Sequence, residues 1–274
     1  MEIREITSKS ILTPSGISDY AVNPYRGCVN NCAYCYARYI YLKAGDTRKP
    51  GSFVDIKVNA ALLLQKELLK KKKKKGSVFF STICDGWQPV EKKYNLSGQC
   101  LRLAVKSGLA CTVLTKSSLV EKDFGTLLEG KASLGLSIST LSDSIARVLE
   151  PGATLPSGRL NTCALAVKKG ISVFIFAGPI LPVFCDTPFN IENIIRAASD
   201  IGVDKLMFDR LNLRSGVMEV MLDRVEAFYP ELYPAYAALL GDRKKMRKYE
   251  DELRQLIISL LKKRKPGYKV EILF

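Results

Sequence analysis

From residue 18 onward the chain alternates short apolar runs with stretches of helical periodicity, and this alternation limits the fold more than any other feature. "SDYAVN" (Ser18–Asn23) predicts a short opening strand. "SVFFSTIC" (Ser77–Cys84), "LACTVLTK" (Leu109–Lys116), "SLGLSIST" (Ser133–Thr140), "ISVFIFAGPI" (Ile171–Ile180) and "VDKLMFDRL" (Val203–Leu211) are rich in β-branched and aromatic residues and predict further strands, the last of them closing the series. Between them, "NAALLLQKELLKK" (Asn59–Lys71) places Leu62, Leu63, Leu64, Leu68 and Leu69 on one helical face, with Asn59 at the N-cap and Gly76 as the stop. "SGQCLRLAVKSG", "LVEKDFGTLLEG", "SDSIARVLE", "SGRLNTCALAVKKG" and "NIENIIRAASDIG" also read as helices. About six β/α units in a row signal a parallel sheet with helical crossovers. Strands that are apolar throughout fit a sheet covered on both faces. No glycine-rich phosphate motif follows the first strand, so a dinucleotide site of the Rossmann kind is unsupported.

The tail differs from the alternating part. "KYEDELRQLIISLLKKRKPG" (Lys248–Gly267) is an amphipathic helix with Leu253, Leu256, Ile257, Leu260 and Leu261 on one face, ending in cations, Pro266 and Gly267. The expected organisation is a lead-in segment over residues 1–17, a core over 18–229 and a helical tail over 230–274. No stretch supplies the ~20 apolar residues of a membrane span. The apolar run from Ile171 to Phe184 is broken by Gly178, Pro179 and Pro182. The opening "MEIREITSKS" carries acids and no apolar core, unlike a secretory leader. A soluble, cytoplasmic protein is expected, in which eight cysteines serve as ligands or buried thiols rather than disulfides.

Two compositional facts narrow the chemistry. The chain contains no histidine, so His-based zinc sites, Ser-His-Asp triads and Cys-His pairs are excluded. Acid–base work would fall to Asp, Glu, Lys, Tyr or Cys. The net charge is +15, part of it in Lys70–Lys75 and in "KKRK" (Lys262–Lys265). A positive surface attracts phosphate backbones. Such runs are also the ordinary solvated ends of helices, where cations suit the C-terminus.

Three of the cysteines fall within eight residues. "NPYRGCVNNCAYCYARY" (Asn23–Tyr39) spaces Cys28, Cys32 and Cys35 as C-x3-C-x2-C, with Tyr34 before the last. Three soft donors on one loop suggest a metal. A tetrahedral zinc site needs a fourth ligand, which Cys84 or Cys185 could supply from afar. A four-iron cluster held by three cysteines instead leaves one iron open to another ligand. Gly27, Asn30 and Asn31 provide the turn conformations that a wrapping loop requires.

This motif, just after the first strand of a β/α series, resembles that of the radical S-adenosylmethionine (radical SAM) superfamily. "NPYRGCVNNCAYCYARY", "STICDGWQPVEKKYNLS", "LSISTLSDSIARVLEPGATLPSGRL" and "GISVFIFAGPILP" are similar, in order, to the family of spore photoproduct lyase and its relatives, often called DNA repair photolyase-like. The resemblance covers residues 8 to 215 and implies an α/β fold, a partial (β/α)6 TIM-type barrel with a C-terminal helical extension. It implies a [4Fe–4S] cluster on Cys28, Cys32 and Cys35, with S-adenosylmethionine (SAM) at the open iron, reductively cleaved to a 5′-deoxyadenosyl radical that abstracts hydrogen from substrate. Tyr34 matches the aromatic position whose backbone meets the adenine. Thr82 and Asp85 match the region that meets the methionine amino group. Ser137 and Ser139 match a strand that contacts polar groups of SAM. "EPGATLPSGRL" resembles the family's E-P…R-L element and puts Glu150 and Arg159 near SAM. An external electron donor of the flavodoxin or ferredoxin type is implied, and nucleic acid is the candidate substrate class.

The dimer-lyase reaction uses a cysteine near the end of the second strand as hydrogen donor. Cys84 is the nearest candidate here, although alignment on the aspartate puts Thr82 at that place. "CDGWQPVEKKY" resembles instead a T-D-P-Y-Q-P-x-E element of the family's other branch, with Cys84 in place of the threonine. Cys100, Cys111 and Cys163 read as core. Cys185 reads as a packed thiol or a substrate contact. Trp87 and Tyr94 could stack a base or cover the sheet's end. Arg210, Asn212 and Arg214 follow a strand at the end where a β/α barrel gathers its chemistry. The rival reading is a zinc-stabilised nucleic-acid-binding protein without catalysis.

Overall fold

The computed structural model describes residues 1–49, 51–70 and 76–274. In chain order its strands are β1 (Glu2–Ile6), β2 (Leu12–Pro14), β3 (Tyr20–Val22), β4 (Tyr25–Arg26), β5 (Phe53–Lys57), β6 (Ser77–Phe80), β7 (Ala110–Thr115), β8 (Ser133–Ser137), β9 (Ser172–Ile180), β10 (Lys205–Arg210) and β11 (Lys269–Ile272). Its α-helices are α1 (Ala37–Lys43), α2 (Ala60–Lys70), α3 (Glu91–Tyr94), α4 (Leu96–Lys106), α5 (Phe124–Glu129), α6 (Asp143–Leu149), α7 (Pro156–Lys168), α8 (Pro188–Ile201), α9 (Val217–Phe228), α10 (Tyr233–Leu240) and α11 (Arg243–Arg264). No described helix is long and apolar enough to cross a membrane. The chain divides into two compact units, each assembled from discontinuous stretches.

Unit 1 comprises Met1–Asn30, Arg48–Leu136 and Asn161–Val173. Here β3, β6, β7 and β8 run parallel in the order β8-β7-β6-β3, and β2 pairs antiparallel with β3. Val78, Phe80, Val113, Leu134 and Leu136 are buried, as expected of strands covered on both faces. Helix α2 buries Ala60, Leu64 and Leu68, spaced four apart, and α4 packs beside it with Cys100, Leu101 and Ala104 buried. Each such fully buried leucine contributes about 1.5–3 kcal/mol. Asn59 stands at the N-cap position, its carbonyl accepting the Leu63 N–H at 2.9 Å. Its side chain, however, exchanges two 2.9 Å hydrogen bonds with the backbone of Ser8 rather than capping the helix. The lysines at 71–75 lie outside the described residues.

The lead-in segment belongs to a sheet that the apolar pattern does not predict. Strand β1 pairs parallel with β5, and β4 pairs antiparallel with β5, giving the order β1-β5-β4. Strand β5 is buried along Phe53–Ile56, including Asp55, whose carboxylate is paired with Arg48 at 2.5 Å. The predicted strand over Ser77–Cys84 ends early, at Phe80. Ser81 adopts φ +72°, which turns the chain out of the strand and into a loop.

Unit 2 comprises Asn31–Thr47, Ser137–Leu160 and Phe174–Phe274. Its parallel strands take the order β11-β10-β9. The chain past β8 continues beside β9, with the Ile138 N–H donating to Phe176 O at 2.9 Å. Helix α8 begins with Thr187 accepting the Asn190 N–H and ends at Gly202 in the left-handed region, φ +78°. Its Ile191, Ile194, Ile195 and Ala198 form the buried stripe. Helix α11 packs against α8 and starts five residues before the predicted Lys248, because Asp242 caps it by accepting the Lys244 and Lys245 N–H groups. The C-terminal extension is helical as expected, but Val203–Leu211 is not the last strand. The chain returns after Pro266 as β11 and pairs parallel with β10.

Candidate functional site

Within unit 1, β3 leads directly into the cysteine loop. Asn23, buried at its end, accepts the Ile83 N–H at 3.1 Å and donates to Thr82 Oγ1 at 2.8 Å. Thr82 thereby joins the end of the β6 segment to the loop's entry. The buried Tyr25 hydroxyl donates to Glu91. Glu91 also accepts the Ser97 and Gly98 N–H groups at 3.0 and 2.9 Å and pairs with Lys122 at 3.1 Å. Burial, reinforced by the Glu91 charge, raises the Tyr25 pKa far above the usual phenol range, so the group stays a donor. Gly27 follows with φ +82°, and a β-carbon there would collide with the carbonyl of Phe53. Only glycine satisfies both conditions at the residue before Cys28.

Cys84 and Asp85 face inward. The Cys84 thiol donates to Tyr25 O at 3.2 Å and sits in a cluster with Val54, Ile56 and Leu96, against which Cys28 and Val29 pack. Asp85 accepts four hydrogen bonds. They come from Asn30 Nδ2 at 3.0 Å, Lys116 N at 2.8 Å, Thr115 Oγ1 at 2.6 Å and Trp87 N at 2.9 Å. Its carboxylate therefore ties the cysteine loop to the end of β7. Trp87 is fully buried, donates to Asp123 at 2.8 Å and packs edge-on against Phe80, so it covers the sheet and offers no face to a base. Tyr94 donates to Glu5 at 2.8 Å.

In unit 2 the loop continues through Cys32 and Cys35. The Cys35 N–H donates to Cys32 O at 3.2 Å, a turn that leads into α1, and the Ala33 N–H donates to Leu149 O at 2.9 Å. Tyr34 is buried. Arg38 lies beside Cys35 and faces Glu219 and Asp223. Burial lowers its pKa, and the three neighbours oppose that shift. All eight cysteines, each among the described residues, lack a disulfide; five are buried, whereas Cys28, Cys32 and Cys35 are half-exposed.

The serines at and after the end of β8 and the E-P…R-L residues come together in the same unit. Arg159, 1% exposed, is paired with Glu150 and donates to Ser137 O at 2.7 Å and Thr154 O at 2.5 Å. Its guanidinium is thus held by the protein on three sides, with Glu150 on one of them. The other oxygen of Glu150 has no hydrogen bond among the described residues. Burial raises the Glu150 pKa, and the Arg159 charge only partly offsets this. Ser137 Oγ donates to Gly178 O at 3.2 Å. The Ser139 hydroxyl is buried and has no hydrogen-bond partner among the described residues. Asn190, which sequence reasoning did not single out, donates to Ser139 O at 3.1 Å and Cys185 O at 2.7 Å and accepts the Leu141 N–H at 3.2 Å. Its place at the third position of a Thr-Pro-capped helix is a signal for a helix start, not for a bridge between loops.

These residues fit a thiolate-bound cluster and a polar cofactor. Three accessible thiols are the right donors for iron and sulfide. Among the described residues no three Cys, Asp or Glu side chains converge as ligands of one metal ion. The sulfurs of a four-iron cluster each take a different iron and need no such point of convergence. A buried hydroxyl without a partner is costly unless a ligand completes it. Ser139 is such a group, and it stands two residues past the end of β8, in the segment where polar contacts to SAM were expected.

Other predicted positions are placed less centrally. Cys185 is buried, and burial pushes its thiol pKa well up. Arg210 pairs with Glu250, the Arg214 guanidinium lies 5.6 Å from the Tyr39 ring centroid, and Asn212 is exposed. Lys263 and Arg264 face Glu192 at the end of α11.

Comparisons with known proteins agree with this arrangement. The model of the radical SAM superfamily matches residues 22–189. An uncharacterized protein of Methanocaldococcus jannaschii is 28% identical over 267 residues, 96% of this chain and 95% of that one. One from Mycobacterium tuberculosis is 25% identical over 251 residues, 89% of this chain and 74% of that one. Spore photoproduct lyase complexed with dinucleoside spore photoproduct superposes with a TM-score of 0.71 at 16% identity, covering 98% of this chain and 81% of that one. Streptococcus suis SuiB bound to S-adenosylmethionine gives 0.60 at 15% identity, covering 100% and 50%. The fold is thus the expected α/β partial barrel of the radical SAM kind.

Proposed function

Because the chain belongs to the radical SAM superfamily, a class of enzymes that use a [4Fe–4S] cluster, SAM and an external electron donor, we propose that Cys28, Cys32 and Cys35 hold the cluster and that the residues around Ser139 and Glu150 receive SAM. When bound, the reduced cluster and SAM together supply a 5′-deoxyadenosyl radical for hydrogen abstraction. The chain's own residues bind, orient and shield. The observation that carries this reading is that, of eight cysteines, these three alone are open to solvent.

The Ser139 hydroxyl, without a partner among the described residues, hydrogen-bonds a polar group of the ligand. Glu150, held through Arg159 to Ser137 O and Thr154 O, presents its second oxygen to ribose hydroxyls. Gly178 O, fixed by Ser137, sets the strand segment beside the adenine. Tyr34 brings its backbone to the same base. Thr82 and Asp85 support the cysteine loop through their side chains, and the segment after β6 that carries them meets the methionine amino group. Cys84 is assigned to packing, because its thiol hydrogen is directed at Tyr25 O within an apolar cluster.

For substrate we infer a nucleic acid and a lyase-type reaction. A net charge of +15 favours a phosphate-bearing partner, and the superposed lyase was crystallised with a dinucleoside photoproduct.

The test is anaerobic reconstitution with iron and sulfide, followed by reduction. EPR spectra with and without SAM, and an assay for 5′-deoxyadenosine, are then compared between wild type and Cys32→Ala. The expected result is a reduced-cluster signal that SAM alters, with 5′-deoxyadenosine formed and both lost in the variant. A colourless protein, or a cluster indifferent to SAM, would overturn the assignment. Damaged DNA and RNA are the substrates to add first, and turnover of neither would remove the nucleic-acid reading.

A further inference from the structure

The segment after β6 bears a side chain to which neither the motif nor the comparisons assign a role. Gln88 is fully buried. Its side-chain carbonyl accepts the Val29 N–H at 3.0 Å, and its amide donates to Gly27 O at 3.1 Å. The two groups it grips flank Cys28 on either side. A primary amide carries one donor edge and one acceptor edge on a rigid plane, so it can hold an N–H and a carbonyl two residues apart at once. Three residues earlier, Asp85 accepts from Asn30 Nδ2 and joins that contact to Thr115 and Lys116. Gln88 is itself anchored, its backbone carbonyl accepting the Glu91 N–H at 2.9 Å at the entry to α3. The loop is therefore bound to a buried, hydrogen-bonded platform of the folded chain, at Gly27 and Val29 through its backbone and at Asn30 through its side chain.

We propose that Gln88 and Asp85 are positioning residues that fix the Cys28 arm of the cysteine loop in the metal-free protein, so that this ligand is presented preformed rather than ordered on metal binding. The inference rests on the reading of Cys28 as a cluster ligand. Its physical basis is where the ordering cost falls. A loop immobilised by folding has already lost its backbone freedom and loses less when the metal arrives. Outer hydrogen bonds that orient a ligand are also a general determinant of metal affinity.

Two measurements test it. In the metal-free protein, amide hydrogen exchange at Val29 is compared among wild type, Gln88→Leu and Gln88→Glu, with Trp87→Phe as control. Trp87→Phe loses the bond to Asp123 but leaves the Gln88 and Asp85 hydrogen bonds to the loop in place. Expected is exchange at least ~10-fold faster in Gln88→Leu, an intermediate value in Gln88→Glu, which keeps the acceptor, and no change in the control. In the reconstituted protein, cluster loss to a chelator should be at least ~10-fold faster in Gln88→Leu, with an altered reduced-cluster EPR spectrum, and Asp85→Asn should move the same way. Unchanged Val29 exchange in both Gln88 variants would overturn the clamp, and Gln88→Glu keeps that arm decisive should Gln88→Leu not fold. Faster exchange with wild-type cluster retention would overturn the preformed ligand. Failure of the wild type itself to take up iron would sink the ligand reading and this inference with it, whereas loss confined to the variants overturns neither.

Discussion

Asp85 in unit 1 and Glu150 in unit 2 are both buried carboxylates, yet they are used in opposite ways. Asp85 is surrounded by four neutral donors, each from the protein. Glu150 has one cation on one oxygen, and its other oxygen is left over among the described residues. The surroundings repeat the contrast. Near Asp85, Gln88 has both ends of its amide engaged with backbone. Near the Glu150–Arg159 pair, the Ser139 hydroxyl is buried with no partner among the described residues. A polar group whose bonding is complete within the protein holds structure in place. A buried one with capacity to spare is completed by a ligand. The first region is a scaffold for the cysteine loop, and the second is the one proposed to receive a cofactor.

The contrast breaks most severely at Arg159. Arg159→Leu leaves Glu150 buried without its cation and removes the Arg159 hydrogen bonds to Ser137 O and Thr154 O, and should lower stability by about 3–5 kcal/mol in urea unfolding of the metal-free protein. A loss under about 1 kcal/mol would mean that the pair is solvated and that Arg159 does not hold Glu150. Next comes Gln88→Leu, which removes the hydrogen bonds of Gln88 to Gly27 O and the Val29 N–H. A loss of about 2–4 kcal/mol is expected by the same measurement. Ser139→Ala sharpens the comparison from the other side. Removing a hydroxyl that bonds nothing among the described residues should leave metal-free stability within about 0.5 kcal/mol of wild type while weakening SAM about fivefold, one hydrogen bond's worth, by isothermal titration into the reconstituted enzyme. A large stability loss with unchanged SAM affinity would reverse its assignment.

The smallest effect concerns Asp143, which accepts the Ser157 N–H and hydroxyl at 3.1 and 2.7 Å and so ties the start of α6 to α7. These hydrogen bonds hold its carboxyl below the usual aspartate range. The folded state therefore binds this proton less readily than the unfolded state. The contribution to stability is present above the unfolded pKa and is lost as pH falls through the lower folded value. Asp143→Asn should flatten that part of the acid limb in a pH series of thermal unfolding, and an unaltered limb would show that the contact does not couple to folding.

Much of this is legible in the sequence because it is local. The β/α order follows from runs and periods a dozen residues long, so β3, β6, β7, β8, β9 and β10 fall where the apolar stretches predict them. The C-x3-C-x2-C spacing points to the proposed cluster ligands for a similar reason, since three soft donors on one short loop have few other uses. The short strands are not legible. Strand β4 has two residues, β1 is mostly polar, β5 carries a buried aspartate, and β11 follows a proline and a glycine. Each exists because a neighbouring strand supplies its hydrogen bonds, which no local pattern records.

The site divides along the same line. Sequence by itself determined the fold class, the cysteine loop and the residue types around it, because those depend on spacing within a segment. Only tertiary structure decided that Trp87 is buried cover, that Arg159 serves Glu150 and that Gln88 grips the backbone beside Cys28. The partners of Gln88 lie 59 and 61 residues away in the chain, and those of Asn190 in Ser139 and Leu141 lie 51 and 49 away. A glutamine's meaning at that range depends on which strand ends the sheet brings together, and that is settled by packing rather than by neighbours in sequence.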